Sequence, residues 1–192
     1  MSFVNINDVR MDGVERAERL LAGIPGGVDE AIKSAGQNAA AYMQSASVKA
    51  IQERYAIKAK NIRENEMARV RYSFWDGLSI TINFTGRKIP LYRFNGTSPK
   101  QPGRREIVKA HVLKSTSPQP FYKSFIAKMQ SGHIGIFKRE SETRFPIEEK
   151  MALSVPQMLS NDEVKEEISR EAAAKFEESL EEKILDILNG RR

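Results

Sequence analysis

Few residues in this chain could carry chemistry, and their spacing argues against a catalytic centre. His111 and His133 are the only two histidines. They fall in separate predicted strands, and neither sits in an HxxxH or HExxH spacing that would set two ligands on one helix face. Cysteine is absent, which removes disulfides, thiolate metal sites and thiol nucleophiles together and fits a reducing compartment. No serine lies in a GxSxG turn, and no GxGxxG or GxxxxGK(S/T) loop is present to cradle phosphates. The middle of the chain offers few carboxylates beyond Asp76 and Glu106 for acid–base work. The expectation is a protein that is not an enzyme, with no catalytic residue, no metal site and no cofactor.

What remains is charge and aromatic surface. Residues 49 to 128 hold 17 Lys/Arg against 5 Asp/Glu, whereas residues 160 to 192 hold 10 Asp/Glu against 6 Lys/Arg. A basic block of this strength attracts phosphate in a salt-dependent way, and it docks equally well on an acidic neighbour in an assembly. Basic and aromatic residues interleave at Arg69, Arg71, Tyr72, Phe74 and Trp75, and again at Arg87, Lys88, Tyr92, Arg93 and Phe94. Such platforms stack single-stranded nucleic acid, but strands with one buried face give the same alternation, which is the simpler reading. Lys100 with the Arg104-Arg105 doublet, in a polar loop, is the better candidate for a cluster facing phosphate or a protein partner.

The elements that position these residues read as one domain over 1–192. It comprises an N-terminal arm or short helix (1–27), a helix-plus-sheet core (28–159) and a C-terminal helix (160–192). A short helix is predicted around Asp12 to Leu21, and the run Gly23 to Gly27 breaks it. From Val28 to Ala50, the residues Ala31, Ile32, Ala35, Ala39, Tyr42, Met43, Ala46 and Ala50 recur every three or four positions, as one face of a helix does. A further short helix is predicted over Ala59 to Glu66.

Alternation then predicts strands around Val70 to Phe74 and Ser79 to Phe84, flanking a turn at Asp76-Gly77, with a third at Ile89 to Phe94. Asn95 to Gly103 reads as a loop leading into a strand near Ile107 to Leu113. A Pro-rich turn at Ser115 to Pro120 precedes a strand over Phe121 to Met129, and Ser131-Gly132 turns the chain back into Ile134 to Lys138. Apolar residues on both faces of that hairpin predict a central, covered position. Pro146 and Pro156 predict an extended path over Phe145 to Leu159.

Ser160 or Asn161 is set to cap the last helix. Its stripe is Val164, Ile168, Ala172, Phe176, Leu180, Ile184, Ile187 and Leu188, and Asn189-Gly190 stops it. The fold class expected is α+β, a small and mostly antiparallel sheet packed with an alanine-rich N-terminal helix and a long C-terminal one. The sequence has no run of eighteen apolar residues and no basic-then-apolar start, so neither a membrane span nor export is expected.

Several of these segments resemble the prophage minor tail protein Z family, the tail completion proteins of lambda-like phages. The likeness lies in Ser124 followed by "FIAKMQSGHIGIFKR" (Phe125 to Arg139), then "FPIEEKMALSVPQML" (Phe145 to Leu159), and a closing helix. An Ile-Pro-Gly turn, an alanine-rich helix and "KAKNIRENEMARVRYS" precede them. The resemblance implies a fold of the tail completion and tail terminator kind. It further implies a structural role as a ring at the head-proximal end of the tail tube, completing the tail and helping to join it to the head or neck.

The implied partners are the chain itself as a ring, a hexamer, tail tube or tail terminator proteins, head–tail connector proteins, and DNA passing through the channel. The implied location is the virion tail or neck after synthesis in the host cytoplasm. Besides Lys100, Arg104 and Arg105, the segment Ser154, Val155, Pro156, Gln157 and Met158 is a candidate intersubunit contact. Non-specific nucleic-acid binding through the basic middle is the alternative function.

Overall fold

A computed structural model describes residues 2–6, 11–73, 79–94 and 107–191, and shows an α+β chain. It divides into two compact units made of interleaved segments. The first comprises Met1–Ser47, Met67–Thr85 and Leu159–Arg192, and the second Val48–Glu66 and Gly86–Met158.

In the first unit, the start of the chain is a strand, β1 (Ser2–Ile6), where an arm or short helix was expected. It pairs antiparallel with β3 (Ser79–Gly86), Ser2 opposite Phe84 and Ile6 opposite Ile80, and β3 also pairs with β2 (Glu66–Ser73). The alternation expected for β3 holds, because Ile82 and Phe84 are fully buried while Thr81 and Asn83 are half-buried. The predicted turn at Asp76-Gly77, together with Phe74 and Trp75, lies outside the described residues.

Three helices complete this unit. Helix α1 (Met11–Leu21) buries Ala17 and Leu21, one turn apart, and Gly26 closes the following break with a positive φ of 72°. Helix α2 (Gly27–Arg54) runs four residues further than the apolar pattern indicated. Its buried face is Ala31, Ala35, Ala39, Met43, Ser47 and Ile51, which replaces the predicted Ala46 and Ala50, both half-buried. The pattern was ambiguous there because alanine fits a buried face and an exposed one alike. The division between the units falls within α2.

Helix α5 (Asp162–Leu188) is the predicted closing helix, capped by Asn161, whose side chain accepts from the Val164 amide at 3.2 Å. Its buried stripe is Ile168, Ala172, Phe176, Leu180, Ile184 and Ile187. Leu188, predicted on that stripe, is 46% exposed instead, because Ile187 takes the inward position one residue earlier. Helix α5 packs on β1 and α1. The Tyr42 hydroxyl donates to Glu171 at 2.8 Å and Lys183 pairs with Glu30 at 2.9 Å. Those contacts are twelve residues apart on each helix, so α2 and α5 lie side by side and antiparallel. The Glu171 carboxylate, by accepting this hydrogen bond, also raises that phenol's pKa above its ordinary 10.0.

In the second unit, α3 (Ala59–Arg63) ends where Glu66 opens β2, so the helix expected to reach Glu66 is shorter. The strand expected over Ile89 to Phe94 is not formed. Pro90 makes one isolated bridge to Met151, and Leu91–Arg93 is a 3-10 turn. Pro90 has no amide to donate to a ladder, so Ile89 and Leu91 bond instead to Leu153 and Lys150 on a segment distant in sequence. Arg93 ties this turn to α3 through Asn61 at 3.2 Å and Glu64 at 3.0 Å.

β4 (Val108–Ala110) pairs antiparallel with β5 (Gln119–Phe121). The single strand predicted over Phe121 to Met129 is two, β5 and β6 (Ser124–Lys128), because Lys123 takes a positive φ of 58° between them. β6, β7 (Ile134–Arg139) and β8 (Ile147–Glu149) form an antiparallel sheet in that order. β7 is the central strand, as expected for that hairpin segment, and buries Gly135, Ile136 and Phe137 in succession. β6 is an edge strand whose one buried residue is Ile126.

The path predicted as extended over Phe145 to Leu159 is instead strand β8 followed by a single helical turn, α4 (Val155–Met158). Pro146 precedes the ladder and Pro156 sits in the first turn of α4, the two places where a missing amide costs least.

The stripe of α5 generates a stability prediction. Phe176→Ala, at a site with no exposure, should cost about 3–5 kcal/mol, a large share of the roughly 5–15 kcal/mol of a typical domain. Leu185→Ala, at a site 60% exposed, should change thermal unfolding little. Truncation after Ser160 should abolish cooperative unfolding of the first unit, read by circular dichroism and hydrogen exchange.

Candidate assembly surface

The most chemically loaded surface in the described residues is one face and one end of the β6–β7–β8 sheet. Side chains alternate across a strand, and the two faces of β7 differ. Ile134 and Ile136 join Ile126, Leu91, Val108 and Ala110 in the apolar core of the second unit. The opposite face carries His133, Gly135, Phe137 and Arg139, with Phe125 and Glu149 directly across from Phe137. Phe125 and Phe137 are tilted rings with centroids 6.2 Å apart. The Arg139 guanidinium lies 4.8 Å from the Phe125 centroid, and His133 meets Phe137 edge-on at 6.4 Å. The exposed Arg139 therefore covers the Phe125 ring.

His133 and Glu149 are joined across this face, Nε2 to Oε1 at 2.6 Å, with both side chains partly buried. Their meeting depends on Gly135. A Cβ at that position would collide with the Glu149 carboxylate and come within 3.0 Å of the Phe137 ring. The turn before it is closed by Gly132, at a φ of 85°, and by the Met129 amide bonded to the His133 carbonyl at 2.7 Å.

At the end of the sheet where β7 finishes, two connections come together. Ser124 pairs with Lys138 and Arg139 with Ile147, which sets the turn at Tyr122-Lys123 beside the loop Glu140 to Pro146. Tyr122 is 67% exposed and Phe145 62%. The Arg144 guanidinium lies 5.6 Å from the Phe145 centroid. Lys123, Arg139 and Arg144 are exposed.

The residues singled out in the sequence fall in three places. Lys100, Arg104 and Arg105 lie outside the described residues. Ser154, Val155, Pro156 and Met158 are buried, and Gln157 is exposed, its side-chain oxygen accepting from the Ser154 amide and hydroxyl at 3.0 and 3.1 Å. This segment is packed inside its own unit. The histidines have separate surroundings, since His133 is paired with Glu149 while the buried His111 Nδ1 has no hydrogen-bond partner.

Among the described residues, no group of three or more His, Asp or Glu could hold a metal ion, and no helix is long and apolar enough to cross a membrane. Sequence reasoning met Arg139 and Phe145 only as members of the family-like motifs, not as contact residues, and did not single out Tyr122 or Arg144. Their signals were aromatic residues beside turn-forming ones, at Tyr122-Lys123 and Phe145-Pro146.

These features define an α+β protein whose exposed aromatic and charged side chains gather at one end of a sheet. The class is confirmed and narrowed by comparison with protein-family models: residues 11–189 of the 192 match prophage minor tail protein Z, and the chain belongs to that family. Its role is accordingly structural, in a phage tail. Searches of curated proteins and of solved structures found no match.

Gly135→Ala should separate His133 from Glu149 and lower the melting temperature. The combined Gly135→Ala and Glu149→Ala variant should recover part of that loss, because it removes the collision. No recovery in thermal melts would show that Gly135 is needed for another reason.

Proposed function

We propose that this protein closes the head-proximal end of a phage tail tube, assembling there as a ring, a hexamer, that completes the tail and joins it to the head or neck. The observation that supports this reading is the family match from residue 11 to residue 189, which spans both units and not one short motif. The chain is made in the host cytoplasm and ends in the virion, where its neighbours are tail tube or terminator proteins and the head–tail connector. The basic middle faces an acidic ring or the DNA in the channel, and Lys100, Arg104 and Arg105 are its contact residues. Because Ser154 to Met158 is packed within its own unit, of that segment Gln157 is the residue placed to contribute to a contact.

Two measurements test this reading. The purified chain in dilute solution should be monomeric or weakly associated, since its contacts are small and charged; a stable high-order ring without other tail components would count against it. Replacing Lys100, Arg104 and Arg105 together by Glu should leave thermal stability unchanged and reduce the yield of complete particles, more so at low salt. Unchanged yield at both salts would remove the cluster from the joining step.

A further inference from the structure

The exposed sheet end of the second unit has a counterpart on α5. Glu178, Glu182, Leu185 and Leu188 follow one another at steps of four, three and three, so they share one face of the helix. Leu185 is 60% and Leu188 46% exposed, and both glutamates are exposed. We propose that the rim formed by Tyr122, Lys123, Arg139, Arg144 and Phe145 docks on this face of α5 in a second copy of the chain, joining copies head to tail. The proposal rests on the ring reading above and names its contact.

Charge complementarity selects the second copy. No salt bridge among the described residues involves Lys123, Arg139 or Arg144, and Glu182 is equally without one; Glu178 is held by Lys175 at 2.7 Å in an exposed pair. Glu140 and Glu142 in the rim's own loop, and Glu148 across from Lys138, reduce its positive charge without cancelling that of Lys123, Arg139 and Arg144.

Each patch has an apolar centre flanked by charge, Tyr122 and Phe145 on one side and Leu185 and Leu188 on the other. A solvent-excluding apolar centre with arginine and aromatic anchors is the usual anatomy of a protein contact. Rim against rim would set arginine against arginine, and α5 against α5 would set glutamate against glutamate. The contact is therefore between unlike patches, the type that propagates from copy to copy and closes into a ring when the rotation allows.

The absence of cysteine gives a direct test. The full chain carrying Tyr122→Cys and Leu185→Cys, both at exposed sites, is oxidised at high protein concentration and low salt. A reducible ladder of dimers, trimers and larger species is expected, while each single variant gives no ladder. Adding Arg139→Glu and Arg144→Glu should weaken the ladder at least about tenfold, and adding Glu178→Lys and Glu182→Lys to that variant should restore it. Matching melting curves establish that each variant is folded.

The proposal is overturned by an internal disulfide that migrates as monomer, by single variants that dimerise as readily as the double variant forms its ladder, or by a ladder indifferent to charge reversal. It is likewise overturned if the rim reversal abolishes salt-sensitive DNA binding and no ladder ever forms. The same double variant in assembled tails separates the two readings. A multi-copy ring without the cross-link sinks this contact alone, whereas no ring at all sinks the ring reading and the contact with it.

Discussion

The first unit depends on the burial of one stripe of α5. Its three chain segments are far apart in sequence, 1–47, 67–85 and 159–192. With no disulfide, they are held together by packing. Ile168, Ala172, Phe176, Leu180, Ile184 and Ile187 supply the apolar surface, and β1 and α1 pack against the helix that carries them. The stripe faces inward, which leaves the acidic side of α5 to the solvent. One helix thus closes a core on one side and presents charge on the other, as amphipathic geometry requires.

Alanine sets the terms for α2. Ala31, Ala35 and Ala39 have no exposure at all, yet each buries little surface of its own. Small side chains contribute by letting backbones approach, and large residues elsewhere, such as Phe84, Phe176 and Met43, fill the volume. The polar contacts Tyr42–Glu171 and Lys183–Glu30 fix the register of two helices whose facing surfaces are otherwise repetitive. The Tyr42–Glu171 bond is exposed and the Lys183–Glu30 pair only partly buried; pairs near the surface add little energy, so their main effect is positional.

In the second unit, Ile136 and Phe137 are adjacent on β7 and both buried, although they point to opposite faces. The Ile136 face is covered by the apolar core around Leu91 and Val108. The Phe137 face is covered by Phe125, His133, Arg139 and Glu149, side chains with polar or cationic ends. That face is apolar underneath and carries charge on top. Gly135 makes the arrangement possible by leaving room for the Glu149 carboxylate.

The sequence by itself determined what local periodicity and punctuation encode: the α+β class, the extents of α1 and α5 to within a residue or two, the break at Gly23 to Gly27, and the turn at Ser131-Gly132 that pairs β6 with β7. The motif order from Ser124 to Met158 also carried the family. Tertiary structure decided the pairings between distant segments. β1 joins β3, Ile89 and Leu91 bond to Leu153 and Lys150, and a segment carrying two prolines becomes a strand and a helical turn. It also decided which residue of a near-equivalent pair turns inward, Ile187 and not Leu188, Ser47 and not Ala46. Residues such as Tyr122, Phe145 and Arg139 came together only through strand register, because no spacing along the chain records that two turns will lie at the same end of one sheet.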